Sequence, residues 1–198
     1  MTNAKAYSIF KPAGLGLAVF VTAIVSILLT RDQTEVSAVW PSNAIILSVL
    51  ILSDRAQWRI LLPFAFVGNF LANIFAGNGA FMATFASAAN VIEVLLCAYI
   101  IGAPSAGGRV FHNAEIFAKF VFGSISGALT SSVIATTALS FHAQAVPFDV
   151  FASWFMADCL GLLIFTPIIS TLLAGDVRHA VTGGNTPSAA LGMWLMFF

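Results

Sequence analysis

The chain has 198 residues, of which 60% are hydrophobic and 8% are charged, and its formal net charge is zero. A soluble domain usually carries about 25% charged residues, so this composition excludes an ordinary soluble fold and predicts that lipid surrounds most of the chain. The lack of a basic excess argues against nucleic acid as a partner.

Apolar runs along the chain predict a polytopic transmembrane helix bundle of the all-α class. About twenty apolar residues span a bilayer as a helix. A seventh run, "SAALGMWLMFF", opens near Ser188, so we expect six full helices and the start of another within a single membrane domain, residues 1–198. The six predicted helices cover residues 12–30, 41–53, 60–76, 81–102, 116–139 and 150–173.

The second run, residues 41–53, has only thirteen residues and is either a full crossing or a re-entrant or tilted segment. The basic residues favour a crossing, because seven of the eight Lys and Arg residues then lie on one side. An excess of Lys and Arg marks the cytoplasmic side, so we expect a cytoplasmic N-terminus. The seven are Lys5, Lys11, Arg55, Arg59, Arg109, Lys119 and Arg178, with Arg31 alone on the other side.

Polar side chains recur inside the predicted helices. Their depths below the predicted outer ends overlap, with Asn69 at about 10 Å and Glu93 at about 18 Å. Residues three or four apart share a helix face, as Asn90 does with Glu93. We therefore expect one buried polar centre in the outer half of the bundle, open toward the outer face. The residues assigned to it are Trp40, Asn43, Asn69, Asn73, Asn90, Glu93, Trp154 and Asp158.

The two acids of this centre, Glu93 and Asp158, have no Lys or Arg at the same predicted depth. A charge at mid-membrane costs at least about 2.5 kcal/mol, so burial favours the protonated form of one or both acids, which would then donate to the Asn side chains. Two interpretations stay open. The polar groups are either interhelical hydrogen bonds that stabilise the bundle, or a cavity that binds a ligand or senses protonation.

Two further stretches have simpler explanations. In "VWPSN", Trp40 fits an interfacial aromatic belt and Pro41 fits a first helical turn, while Asn43 lies one turn inside the membrane. In "FGSISGALTSSV", Gly123 and Gly127 lead to Ser131 at intervals of four residues, which predicts close packing of two helices.

No catalytic or metal-binding motif occurs in the sequence. The chain contains no Walker loop, HExxH or nucleophile-elbow pattern, so we expect no enzymatic activity in residues 1–198. Its two cysteines lie in apolar runs and its three histidines in separate predicted loops, so no cofactor and no metal site is expected. The cysteines are Cys97 and Cys159, and the histidines are His112, His142 and His179.

Four stretches, in this order and spacing, resemble the first type of membrane-associated sensor domain, the MASE class of bacterial signalling proteins. They are "VWPSNAIILSVLIL", "GNFLANIFAG", "ANVIEVLLCAYII" and "WFMADCLGLLIFTPII". The matching residues are Trp40, Pro41, Asn43, Gly68, Asn69, Asn90, Glu93, Trp154, Asp158, Gly161 and Pro167.

The resemblance implies an eight-helix sensor in the bacterial inner membrane that precedes a cytoplasmic histidine kinase, GGDEF diguanylate cyclase or EAL phosphodiesterase. By this implication the 198 residues are a sensor domain interrupted in its last helices, and its parent protein is an enzyme of two-component or cyclic di-GMP signalling that dimerises through its effector. The alternatives are a small transporter or substrate-binding membrane subunit, which would use the same buried acids to move a proton or solute, and a purely structural anchor.

Overall fold

The structure, a computed structural model, describes residues 10–30, 37–102, 111, 113–141 and 148–174. It confirms the all-α class that the sequence predicts. The predicted seventh run near Ser188 lies outside these ranges. The six helices are α1 (Phe10–Thr30), α2 (Pro41–Ile51), α3 (Arg55–Phe75), α4 (Ala80–Ile101), α5 (Ala114–Ser140) and α6 (Phe148–Ala174).

Every helix except α2 is long and apolar enough to cross a membrane. Large apolar side chains point outward from these helices, for example Leu28 on α1 at 72% exposure and Val133 on α5 at 51%. Such faces are stable in lipid, where a helix satisfies its own backbone hydrogen bonds. The chain is therefore a multi-pass membrane protein.

The short helix α2 is the centre of the bundle. It packs against α1, α3, α4 and α6, whereas the other five helices follow one another around it in the order α1, α3, α4, α5, α6. Trp40 at the start of α2 packs with Ala72 near the end of α3, and the Trp58 indole of α3 donates to the Leu50 carbonyl at 3.0 Å near the end of α2. Helix α2 thus runs antiparallel to α3 through most of the bundle.

The start of α3 differs from its prediction. The helix begins at Arg55, not at residue 60, and Trp58 is buried in the core instead of lying in a cytoplasmic connection. Hydropathy misses this first turn because Arg55 and Arg59 are exposed on the same turn that buries Trp58.

Successive helices alternate in direction. Gly123 and Gly127 of α5 face Cys97 and Glu93 of α4 in antiparallel order, and a Cβ added at Gly127 would lie 2.9 Å from the Glu93 carbonyl oxygen. The predicted packing role of Gly123 and Gly127 is confirmed, because only a residue without Cβ permits this backbone approach. Alternation puts the start of α1 and the end of α6 at the same end of the bundle, together with exposed Lys119.

Candidate functional site

Two acids from different helices meet inside the bundle. Glu93 of α4 and Asp158 of α6 are 0% and 2% exposed, and their carboxyl groups lie within hydrogen-bonding reach of each other. They are 65 positions apart in the sequence and are brought together because α4 and α6 both pack on α2. We call Glu93 and Asp158 the acid pair.

Asn43, in the first turn of α2, connects the central helix to the acid pair. Its Nδ2 donates to Glu93 Oε2 at 2.7 Å and to Asn90 Oδ1 at 3.3 Å. Pro41 allows this placement, since it occupies the first turn without leaving a backbone N–H unpaired. All three polar side chains, on α2 and α4, are buried.

Ser131 of α5 connects the acid pair to a fourth helix. Its hydroxyl donates to Asp158 Oδ2 at 3.0 Å and accepts from the indole Nε1 of Trp154, which is 3.2 Å away and partly exposed. The sequence assigned Ser131 only to helix packing. The sequence feature that could have indicated this bond is a hydroxyl side chain four residues after Gly127, on the same helix face as Gly123 and Gly127.

Two buried oxygen atoms at the acid pair lack a hydrogen-bond partner among the described residues. They are Glu93 Oε1 and Asn43 Oδ1. Two carboxylates in contact repel each other, whereas one proton held between them supplies a donor to an oxygen that otherwise lacks one. The Lys and Arg side chains whose exposure the structure describes, Arg55, Arg59 and Lys119, are exposed rather than buried beside the pair.

Asn69 and Asn73 form a different network. Asn73 Nδ2 donates to the Oδ1 and the backbone carbonyl of Asn69 at 3.1 and 3.0 Å, and Asn78 Nδ2 donates to Asn73 Oδ1 at 2.7 Å. These bonds join α3 to the turn that follows it. The hydrogen bonds described for Asn69 and Asn73 form a second network that runs along α3, and their place in one polar centre with the acid pair stays a prediction. Among the described residues, the buried Asn69 Nδ2 has no hydrogen-bond partner.

Trp40 lies between the two networks and is buried, not facing lipid as an interfacial belt residue would. Its side chain packs with Ala23, Ile27 and Ala72, and its buried indole Nε1 has no hydrogen-bond partner within the part of the chain that the structure describes. Its backbone N–H donates to the Ala157 carbonyl at 3.2 Å. The contact fixes the start of α2 against α6.

Comparison with known families gives a match over most of the chain. The sequence model of the MASE1 family matches residues 13–181. The chain belongs to the MASE1 family. No curated protein and no solved structure matches the chain.

Membership of the MASE1 family confirms the resemblance found in the sequence. The matched range includes every residue of the acid pair network, from Asn43 to Asp158. Among the described residues, no group of three or more His, Cys, Asp or Glu side chains is placed to hold a metal ion. The three predicted loop histidines, His112, His142 and His179, lie outside the described residues.

Gly161 shows how the MASE1 bundle holds its central helix. A Cβ at this position would overlap the backbone carbonyl of Trp40. Glycine lets α6 approach the start of α2, and this approach carries Asp158, three residues earlier on α6, toward Asn43 and Glu93. This close approach explains why a glycine stands at position 161, one of the residues that carry the family resemblance. Gly161 sets the distance between the helices that carry the site.

Proposed function

We propose that this MASE1 chain is the sensory input module of a bacterial signalling protein, and that the acid pair is its sensing element. The observation that carries the proposal is one buried point at which α2, α4, α5 and α6 meet. Asn43 is bonded there to Glu93, Ser131 is bonded to Asp158 and Trp154, and the two acids lie next to each other. A change at this point alters the packing of four helices at once. A network within one helix would not have that effect.

The signal in this proposal is protonation of the acid pair or a small polar molecule that replaces the shared proton. With the proton present, Glu93 and Asp158 attract each other and hold α4 near α6. Loss of the proton leaves two negative charges in contact and favours a second packing in which they separate. A ligand shifts the same equilibrium only by the difference in its affinity for the two packings.

Trp154 marks the side from which the signal enters. It is the partly exposed member of the network and lies one turn before Asp158, nearer the start of α6. With the N-terminus in the cytoplasm, as the basic residues favour, this start faces away from the cytoplasm. The proposal therefore includes a polar opening toward the outer face of the inner membrane. Asn69 and Asn73 take part in it only indirectly, through the packing of α3.

The receiver of the signal in this proposal is a cytoplasmic effector C-terminal to the bundle, either a GGDEF or EAL domain or a histidine kinase, acting as a homodimer.

Asparagine and serine hydrogen bonds suit an uncharged polar ligand or a proton better than an anion, because the site offers carboxyl groups and no buried cation among its described members.

Hydrogen–deuterium exchange of the protein in lipid nanodiscs, measured across a pH series, tests this function. The expected result is a pH-dependent change in protection of α2 and α6 in the native chain that Asp158→Asn and Glu93→Gln both abolish. Glu115→Gln is the matched control, because Glu115 is an exposed acid that pairs with Lys119 at 2.6 Å. An unchanged response in both buried variants, with the control also unchanged, would rule out the acid pair as the sensor.

A transporter remains the second candidate, because paired buried acids in a membrane bundle also serve as proton relays. The same nanodisc protein, reconstituted into sealed vesicles with an internal pH dye, separates the two. Proton flux that depends on Asp158 would favour transport. Conformational change without flux favours sensing.

A further inference from the structure

The ring of helices around α2 is open on one side. Helices α1 and α6 both pack on α2, but in the described part of the chain they make no extended contact with each other. The partly exposed residues of α2 and of the position that follows it form one stripe, while the other residues of α2 are buried. The stripe consists of Pro41, Ile45, Val49 and Leu52. Since the other faces of α2 are covered, this stripe lies in the opening. We call the opening the α1–α6 groove.

One wall of the α1–α6 groove is a row of small residues on α1. Thr22 borders α2, because its Oγ1 is 3.2 Å from Ser42 Oγ. Ala18 and Gly14 precede Thr22 by one and two turns on the same face, and a Cβ added at Gly14 would meet no atom of the described residues within 4 Å. Helix α3 packs on a different face of α1, where Gly16 approaches the backbone of Phe64. The small residues are therefore open to another helix.

From this geometry we infer that the α1–α6 groove is the docking site of the chain's own C-terminal apolar segment, residues 188–198. The segment follows α6 by only thirteen residues. Consecutive membrane helices usually pack as neighbours, and the position beside α6 that is free is the groove. A groove floored by apolar side chains and bordered by small residues fits an apolar helix that approaches closely.

The depths of the small residues match. Helix α6 ends at the end of the bundle where α1 begins, so a segment that docks in the groove from there would run parallel to α1. Gly14 is four residues past the start of α1, and Gly192 is four residues past Ser188. In a helix that begins at Ser188, Gly192 would be about 6 Å along the axis, as Gly14 is in α1. Ser188 and Gly192 are four residues apart, as are Gly14 and Ala18. Small residues at this spacing on two helices allow the helices to pack closely.

Docking at this place puts the segment against α2, the helix that carries Asn43. Movement of α2 would then pass directly to the chain that leaves the bundle. This consequence rests on the proposed function, whereas the docking itself does not depend on what the acid pair senses.

Disulfide cross-linking in membranes tests the docking. The background is Cys97→Ala with Cys159→Ala, which removes both native thiols of the chain. A pair introduced at Thr22→Cys and Ser42→Cys reports the native fold, because the two hydroxyl oxygens are 3.2 Å apart. Its cross-linking in the background, within a single chain, establishes that the described bundle is intact.

The test pair is Gly14→Cys with Gly192→Cys, and the matched control is Ala13→Cys with Gly192→Cys. Ala13 is exposed at a similar depth, but it lies about 100° around α1 from Gly14, on the side away from Ala18 and Thr22. The expected result is an intramolecular disulfide at least tenfold more abundant in the test pair than in the control. Cross-links at the mass of two chains would show that a second copy fills the groove, and equal or absent cross-linking in both pairs would show lipid there. Either result overturns the inference.

Discussion

The two polar networks of this bundle use similar residues for different purposes. The Asn69 and Asn73 network bonds along α3 and into the turn after it, whereas the Asn43, Glu93 and Asp158 network bonds from helix to helix. Removing a bond of the first kind loosens one turn. Removing a bond of the second kind changes how four helices pack, and this difference is the physical basis for assigning the sensing role to the acid pair.

The largest effect is expected where the backbone makes the interhelical network possible. Gly161→Ala would push α6 away from the Trp40 carbonyl, so we expect a loss of about 3 kcal/mol in the free energy of unfolding. Gly79→Ala is the control, since a Cβ there meets no atom of the described helices and turns within 4 Å. Reversible unfolding in mixed detergent micelles measures both. Equal stability of the two variants would mean that the close approach does not hold α2 in place.

The next effect concerns the donor to the acid pair. Asn43→Ala leaves Glu93 Oε2 without its 2.7 Å bond, and a buried acceptor without a partner costs about 2 kcal/mol. The same unfolding experiment measures this change, and Asn43→Asp, which replaces the donor amide by a third acid, should be at least as harmful. If Asn43→Ala lowered the free energy of unfolding by less than Asn73→Ala does, the network between helices would contribute less to stability than the network along α3, contrary to this prediction.

Two adjacent serines of α5 give a sharper comparison. Ser131 bonds across helices to Asp158, while Ser132 bonds at 2.6 Å to the Ala128 carbonyl of its own helix. Interhelical bonds of this type contribute about 0.6 kcal/mol on average in membranes, so Ser131→Ala should cost about 1 kcal/mol and Ser132→Ala clearly less. Only Ser131→Ala should also shift the pH dependence of exchange in α6. Matching shifts in both variants would contradict the role given to Ser131.

The smallest effect is expected in the α3 network. Asn73→Ala removes the acceptor of Asn78 Nδ2 and should cost about 0.5 kcal/mol, within the range of an ordinary hydrogen bond. Amide exchange should accelerate in the turn around Gly77 and leave α2 and α6 unchanged. If Asn73→Ala altered the pH response as strongly as Asp158→Asn, the separation into two networks would be wrong.

The helices themselves were predictable because each is an apolar run, and five of the six described helices lie within two residues of the predicted bounds at both ends. The start of α3 was not predictable from hydropathy, because the charged residues Arg55 and Arg59 belong to the same helical turn as the buried Trp58. Nor was the central place of α2 predictable from its apolar residues, because lipid and protein interior select the same side chains in a membrane protein.

The site was partly predictable from spacing and depth. Asn90 and Glu93 share a face, and their meeting with Asn43, Trp154 and Asp158 follows once the helices are arranged around α2. Ser131 was missed because a small residue in a packing motif and a hydrogen-bond donor look the same in one sequence. The spacing of Asn69 and Asn73 predicted their shared helix face, but it could not predict that they bond to each other along α3, because spacing does not give the direction in which a face points.

Infrared spectroscopy of the native chain in lipid at neutral pH tests the central claim most directly, because the C=O stretch of a protonated carboxyl group is separate from that of a carboxylate. The account predicts such a band in the native protein and in Glu115→Gln, and its absence in the double variant Glu93→Gln with Asp158→Asn. A native spectrum without the band, or a band that persists undiminished in the double variant, would contradict a proton shared by Glu93 and Asp158.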